Sequence, residues 1–307
     1  MSNGWAEDKY PSRTIELVAP TNPGGSSDVA ARVYSDDLSR VLKVPVNVTN
    51  RAGNSGVTGT IHVINAKKDG YTLLAAASSA MIIAPAIDKE ITLDPLNELA
   101  PIGLFVDIPS IFAVRSDSPF KTLNELIEYG RKNPGKLKNA AGGVGTESYF
   151  NLELLCAKSK IKITSVPFHG GGEAMPALLG GHVDMSSNTL SVLGPQIKAG
   201  KLRGLAITSK KRHPDFPTVP TTAELGYPDV SFVAWFGLFA PSGVPKPIMD
   251  VLVSAAEKVF KNPEVAQRAA RAGLTADYKG PEELRKLLEA QIPIVKKVAQ
   301  DANLKAN

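Results

Sequence analysis

The sequence predicts an α/β protein of two domains, each a mostly parallel sheet flanked by helices, with a ligand cleft at the domain interface. Three observations predict it. Strand-like and helix-like segments alternate over most of the chain, the pattern of a mainly parallel sheet. With 307 residues, 43% of them hydrophobic, the chain can fill two cores rather than one. One device also occurs twice, near Gly24 and near Gly143: a strand, a Gly-rich turn, then hydroxyl residues at a helix start.

The first copy opens the chain. Ile15-Glu16-Leu17-Val18 reads as a strand and Val29-Ala30-Ala31-Arg32-Val33-Tyr34 as the start of a helix, with Thr21-Asn22-Pro23-Gly24-Gly25-Ser26-Ser27-Asp28 between them. Gly24 and Gly25 permit positive φ and close approach of a ligand to the backbone. Ser26, Ser27 or Asp28 can cap the helix. The free N–H groups and the positive end of the helix dipole favour an anion there; a capped connection without a ligand is the other reading. Ala30, Val33, Tyr34, Leu38 and Val41 recur at helical spacing. Val44–Val48 follows as a short strand ending at Asn50-Arg51-Ala52-Gly53-Asn54-Ser55-Gly56. Thr72–Ala77 reads as a buried strand with Ser78 and Ser79 at its carboxyl end, where open parallel sheets bind ligands.

A second unit begins near Ile108. Thr122-Leu123-Asn124-Glu125 is a capping box for a helix with Leu123, Leu126 and Ile127 on one face. Asn139–Ser148 is the second copy of the opening device, placing Gly143, Gly145, Thr146, Glu147 and Ser148 at a helix start. Tyr149, Leu152, Leu155 and Cys156 form the apolar stripe behind it. A third Gly-rich turn, Phe168-His169-Gly170-Gly171-Gly172, precedes a helical run from Glu173 to Leu179. The strand Val183-Asp184-Met185 ends in Ser186-Ser187-Asn188-Thr189, which places Asn188 at a strand end. Apolar strand character returns at Trp235, and the rest is mostly helical. Leu284, Leu287, Leu288 and Ile292 make an amphipathic helix that packs back on the first domain. Residues 1–107 with 231–307 are therefore expected as domain one, and 108–230 as domain two. Two anion-friendly helix starts, one per domain, can then clamp a small ligand.

Composition narrows the function. The net charge is +5, from 35 basic and 30 acidic residues. That balance suits an anionic small molecule or simple solubility. No Lys/Arg cluster with interleaved aromatics occurs, so no nucleic acid partner is expected. Cys156 is the one cysteine; it leaves no intrachain disulfide and reads as a buried, inert thiol. No apolar run reaches the ~18 residues of a membrane span. The segment Met1–Lys9 carries no apolar signal core, so the protein is either cytosolic or has had a leader replaced. There is no G-x-S-x-G elbow and no H-E-x-x-H. Gly142-Gly143-Val144-Gly145 is not G-x-G-x-x-G, and Gly24-Gly25 is not followed by G-K-[ST]. His62 and His213 read as structural. His169, in its Gly-rich turn, reads as a ligand contact without a carboxylate partner for catalysis. Donors without a reactive group belong to a binder, and no cofactor and no metal are expected.

Several segments, in order, resemble one family. They include Pro23-Gly24-Gly25 with Asp28, Asn50-Arg51-Ala52-Gly53, Asp69-Gly70-Tyr71-Thr72-Leu73-Leu74, Gly145-Thr146, Val166-Pro167-Phe168, Leu178-Leu179-Gly180-Gly181 and Trp235-Phe236-Gly237-Leu238-Phe239-Ala240-Pro241. The chain resembles the Bug-type solute-binding proteins of tripartite tricarboxylate transporters over nearly its whole length. The resemblance implies a two-domain Venus-flytrap, monomeric and periplasmic, that hands a small carboxylate to a membrane permease. It also implies that the loops Thr21–Ser27 and Gly142–Ser148 grip the ligand, while Ser78, Ser79, Phe168, His169 and Gly170 line the cleft. A sensor that presents its closed form to a receptor kinase, and a hydrolase or transferase using His169, are the alternatives.

Two positions depart from the family pattern. His169 stands where a Lys is common, and Glu147 stands where a small hydroxyl residue is usual. As a first-turn acid, Glu147 is expected to face solvent, favoured there by the helix dipole. Facing the cleft instead, it would repel a second ligand carboxylate or meet a ligand amine.

Overall fold

β1 (Ile15–Ala19) buries every residue but Glu16 and lies inside a sheet. The structure, a computed structural model, describes residues 10–141, 145–168, 171–301 and 304. α1 (Ser26–Leu42) buries Ala30, Tyr34, Leu38 and Leu42, a row with one residue per turn. Val41, expected on that face, lies off this row and is exposed. β2 (Val46–Asn50) follows, then a 3-10 turn (Asn54–Gly56) and α2 (Val57–Ile64). β3 (Thr72–Ala77) runs into a π-helical turn (Ser79–Ile83) and α3 (Ala84–Ile87). α4 (Pro95–Glu98) leads into β4 (Leu99–Ile108).

β5 (Ser110–Arg115) opens the second half, with α5 (Leu123–Lys132) and β6 (Lys138–Ala141) after it. Then come α6 (Glu147–Ser159), β7 (Thr164–Pro167), α7 (Gly171–Leu179), β8 (Met185–Thr189), α8 (Leu190–Lys198) and β9 (Leu202–Ile207). β10 (Ala234–Pro241), α9 (Lys246–Phe260), α10 (Pro263–Arg271), β11 (Thr275–Lys279) and α11 (Pro281–Asp301) complete the chain. β8 starts later than the sequence pattern suggests, and its polar residues lie inside the strand. They are tolerated because they are paired: the Ser186 hydroxyl donates to the Ala140 carbonyl at 2.8 Å, and the Ser187 N–H donates to Asn139 Oδ1 at 2.7 Å.

The strands form two sheets, β11-β4-β10-β3-β1-β2 and β7-β6-β8-β5-β9. Both are mixed. In the first, β1 pairs in parallel with β2 and β3, while β10 is antiparallel to β3 and β4, and β11 is antiparallel to β4. In the second, β6 is parallel to β7 and β8, while β5 is antiparallel to β8 and β9. Most strands of each sheet still share one direction. β5 runs against it in the second sheet, and β10 and β11 in the first; β5 and β10 are each the first strand after the chain has changed sheets.

The changes of sheet lie side by side. The chain leaves the first sheet after Ile108 and enters the second at Ser110; it returns between Ile207 and Ala234. The Ser110 N–H donates to Thr208 Oγ1 at 3.0 Å and the Thr208 N–H to the Ser110 carbonyl at 2.9 Å, tying the two passages together. Alternate residues of the strands feed different cores. In β1, Ile15, Leu17 and Ala19 join one cluster with Tyr34 and Phe260, while Val18 faces a second cluster. In β5, Phe112 and Val114 join that second cluster, and Ile111 and Ala113 face a third. Both sheets are therefore covered on both faces, which explains runs such as Leu73–Ala77 in β3 and Ile111–Val114 in β5 that are apolar on both. α11 packs on β4, as its amphipathic pattern predicts.

Candidate functional site

The carboxyl ends of β1, β2 and β3 face those of β6, β7 and β8, so the helices that follow them start toward one place. A cavity of about 440 Å³ lies there. From the first half it is lined by Pro20, Thr21, Gly25, Ser26 and Ser27, by Gly53, Asn54, Ser55 and Gly56, and by Ala77, Ser79 and Phe236. From the second half it is lined by Thr146, Glu147, Ser148, Phe168, Gly171, Asn188 and Thr189. The first N–H groups of a helix have no intrahelical partner. α1 begins at Gly25 without a side-chain cap, so its positive end lies open to an anion; at the start of α2 the Val57 and Thr58 N–H groups already bond to the Asn54 and Gly53 carbonyls.

The α1 loop is held from behind. Asp28, expected as a possible cap, instead accepts from the Gly24 N–H at 2.9 Å, from Arg32 Nε at 2.8 Å and from Asn50 Nδ2 at 2.9 Å. Asn50 Nδ2 also reaches the Thr21 carbonyl at 3.0 Å. The loop after β2 is more unusual. Residues 53–56 all have positive φ, including Asn54 at 45° and Ser55 at 53°, a local strain of the kind found at ligand sites. Across the cavity Gly171 packs on Asn188, where a Cβ would fall 2.7 Å from Oδ1.

Three polar side-chain atoms of cavity-lining residues are buried without a hydrogen-bond partner among the described residues: Thr21 Oγ1, Ser27 Oγ and Asn188 Nδ2. All three can donate. Ser26 Oγ and Thr189 Oγ1 bond directly across the cavity at 2.7 Å, and Asn22 Nδ2 reaches Glu173 Oε1 at 2.7 Å. The two halves are thus closed on each other.

Glu147 corrects an expectation. It does not face solvent: it is 3% exposed and lines the cavity. The Ser78 hydroxyl donates to its carboxylate, and the backbone N–H groups of Ser79 and of Glu147 itself also serve it. Burial pushes its carboxyl above the ordinary range, while these donors pull the other way. The helix cap is Thr146, whose hydroxyl accepts from the Tyr149 N–H at 3.3 Å.

Of the residues expected at the site, Thr21, Gly25, Ser26, Ser27, Ser79, Thr146, Glu147, Ser148, Phe168 and Asn188 line the cavity. Ser78 lies behind it, fully buried, holding Glu147 and accepting from the Trp235 N–H at 3.3 Å. Gly24 and Asn22 flank it, their polar groups turned to Asp28 and Glu173. Gly145 packs against Ala84 and Ser55. Gly143, His169 and Gly170 lie outside the described residues. The segment Gly53–Gly56 was not among the expected site residues. The rule that placed Ser79, the carboxyl end of a strand, applied equally to β2. Phe236 carried no such signal, because it reaches the cavity only through the pairing of β10 with β3.

Among the described residues no group of three or more His, Cys, Asp or Glu side chains is placed to hold a metal ion. Cys156 is buried, which pushes its thiol up to about 12 and leaves it unreactive. Two α/β lobes joined by paired passages around a cavity of hydrogen-bond donors make a periplasmic-binding-protein fold. A solved structure of the periplasmic binding protein BugD matches 97% of this chain and all of its own, at 32% identity and a TM-score of 0.92. MatC from Rhodopseudomonas palustris, solved with bound malate, matches 94% of this chain and 99% of its own, at 30% identity and a TM-score of 0.89. Protein BugT of Bordetella pertussis is 34% identical over 286 residues, 93% of this chain and 88% of its own length. The family model described as tripartite tricarboxylate transporter family receptor matches residues 30–304. The chain belongs to this family, whose structural neighbours here are binding proteins.

Proposed function

We propose that the protein binds a small organic carboxylate in the cavity between its lobes, works in the periplasm, and passes the ligand to a tripartite tricarboxylate transporter permease in the membrane. The observation that carries this reading is the set of buried donors without partners, Thr21 Oγ1, Ser27 Oγ and Asn188 Nδ2, beside the uncapped start of α1. A carboxylate satisfies such donors and is favoured by the helix dipole. The bound malate of MatC supports the ligand class. Residues 1–107 with 231–307 form one moving body and 108–230 the other, with the passages at Ser110 and Thr208 between them. The ligand is released unchanged, since no described lining residue offers an activated nucleophile.

A thermal-shift screen of organic acids, followed by calorimetric titration, tests the reading. Acids are expected to stabilise the protein, and ligand incubated with it to be recovered intact. Ser27→Ala and Asn188→Ala each remove one bond to a charged group, worth roughly 1.5–3 kcal/mol, or about ten- to a hundredfold in affinity. Stabilisation by neutral sugars and not by acids would overturn the proposal.

A further inference from the structure

Glu147 is the one ionisable side chain among the described residues that line the cavity. It is buried, and its bonds come from neutral donors: the Ser78 hydroxyl and the N–H groups of Ser79 and Glu147. No cation neutralises it among the described residues. A second consequence follows from the same bonds. The donors at the start of α6 and at the end of β3 are those that would hold a ligand carboxylate at that side, and the protein's own carboxylate already occupies them. A second ligand carboxylate would find its donors taken and a like charge beside it, where the interior screens less than bulk water.

We propose that Glu147 sets the ligand class: a molecule with one carboxylate at the start of α1 and an amine, or another strong hydrogen-bond donor, against Glu147, with α,ω-dicarboxylates rejected. This rests on the carboxylate reading above and adds what the far end of the ligand must carry. An amine supplies the missing counter-charge of a buried carboxylate and leaves the Ser78 bond in place. Burial already pushes the Glu147 carboxyl upward, the behaviour of an acid whose charge is not yet matched.

The test uses the whole chain and a ladder of matched probes: ω-amino acids of increasing length, each paired with the dicarboxylate of equal carbon number. The wild type is expected to bind the best ω-amino acid at least tenfold more tightly than its dicarboxylate partner, since one buried charge-assisted bond is worth about that factor. Glu147→Gln keeps the shape and removes the charge; it should weaken the ω-amino acid and strengthen the dicarboxylate. Glu147→Asp keeps the charge and should retain the wild-type order. Melting curves establish that each variant is folded. Equal binding of the two series, tighter dicarboxylate binding by the wild type, or parallel shifts in Glu147→Gln would overturn the proposal and leave the carboxylate reading standing. Stabilisation by neutral sugars alone would overturn both.

Discussion

Asp28 shapes the cleft without lining it. Its carboxylate ties Gly24, Arg32 and Asn50 into one unit behind the α1 loop. Asp28→Ala leaves the Gly24 N–H without its acceptor and removes one from the Asn50 amide. Stability should fall by roughly 1.5–3 kcal/mol, the worth of a hydrogen bond to a charged group, and ligand affinity should fall with it. Denaturant unfolding and calorimetry measure the two; unchanged affinity would show that the loop keeps its shape unaided. Glu147 makes a prediction about pH. Its folded carboxyl is raised above the ordinary value of 4.5 by burial. A raised acid favours the folded state below its unfolded value, and that contribution is lost as pH rises through the folded one. The wild type should therefore lose stability relative to Glu147→Gln as pH climbs from about 4.5. Asp107 and Glu153, also raised by burial, act in the same direction but cancel in the comparison. Melting temperatures of both proteins across that range decide it: a constant difference would refute the assignment.

α5 is an element written almost entirely in its own sequence. Thr122 accepts from the Glu125 N–H at 3.2 Å, and Glu125 returns a bond to the Thr122 N–H at 3.3 Å. Thr122→Ala should cost about 1 kcal/mol in thermal unfolding and leave ligand affinity unchanged, because α5 does not line the cavity. α5 was legible because every group that fixes its start lies within four residues. The start of α1 was legible only as a helix start. Whether Asp28 would cap it depended on Asn50, 22 positions away, and no local pattern reports that pairing. β8 shows the same limit. Its serines looked like a strand end because their partners, Asn139 and Ala140, arrive from another strand. The Gly-rich turns and buried strand runs told which ends of the sheets to examine. The reversal of β5 and β10, and with it the place of Phe236 in the cavity, goes with the sheet-to-sheet passages, which periodicity cannot register.

The lobes meet through specific bonds as well as shape: Ser26 with Thr189, Asn22 with Glu173, and Ser78 with Glu147. Closure is thus partly built from the protein's own contacts, and the ligand adds to them. Ser26→Ala removes one such bond. At about 0.5–1.5 kcal/mol, its loss should move the open-to-closed ratio of the empty protein roughly two- to tenfold toward open. Spin labels on the two lobes would read this as a larger population at long distance; an unchanged distribution would mean that the bond holds no closed state together. Trp235 gives closure an optical signature. Its backbone N–H is bonded to Ser78, its indole Nε1 donates to Gln291 Oε1 at 2.6 Å, and its ring is 2% exposed. It is one of two tryptophans in the chain, and the other, Trp5, lies outside the described residues. A ligand that places a charge against Glu147 alters the field at Ser78, and with it the surroundings of a single buried chromophore. Its emission should then shift with occupancy, so that binding can be followed by intrinsic fluorescence without any attached dye.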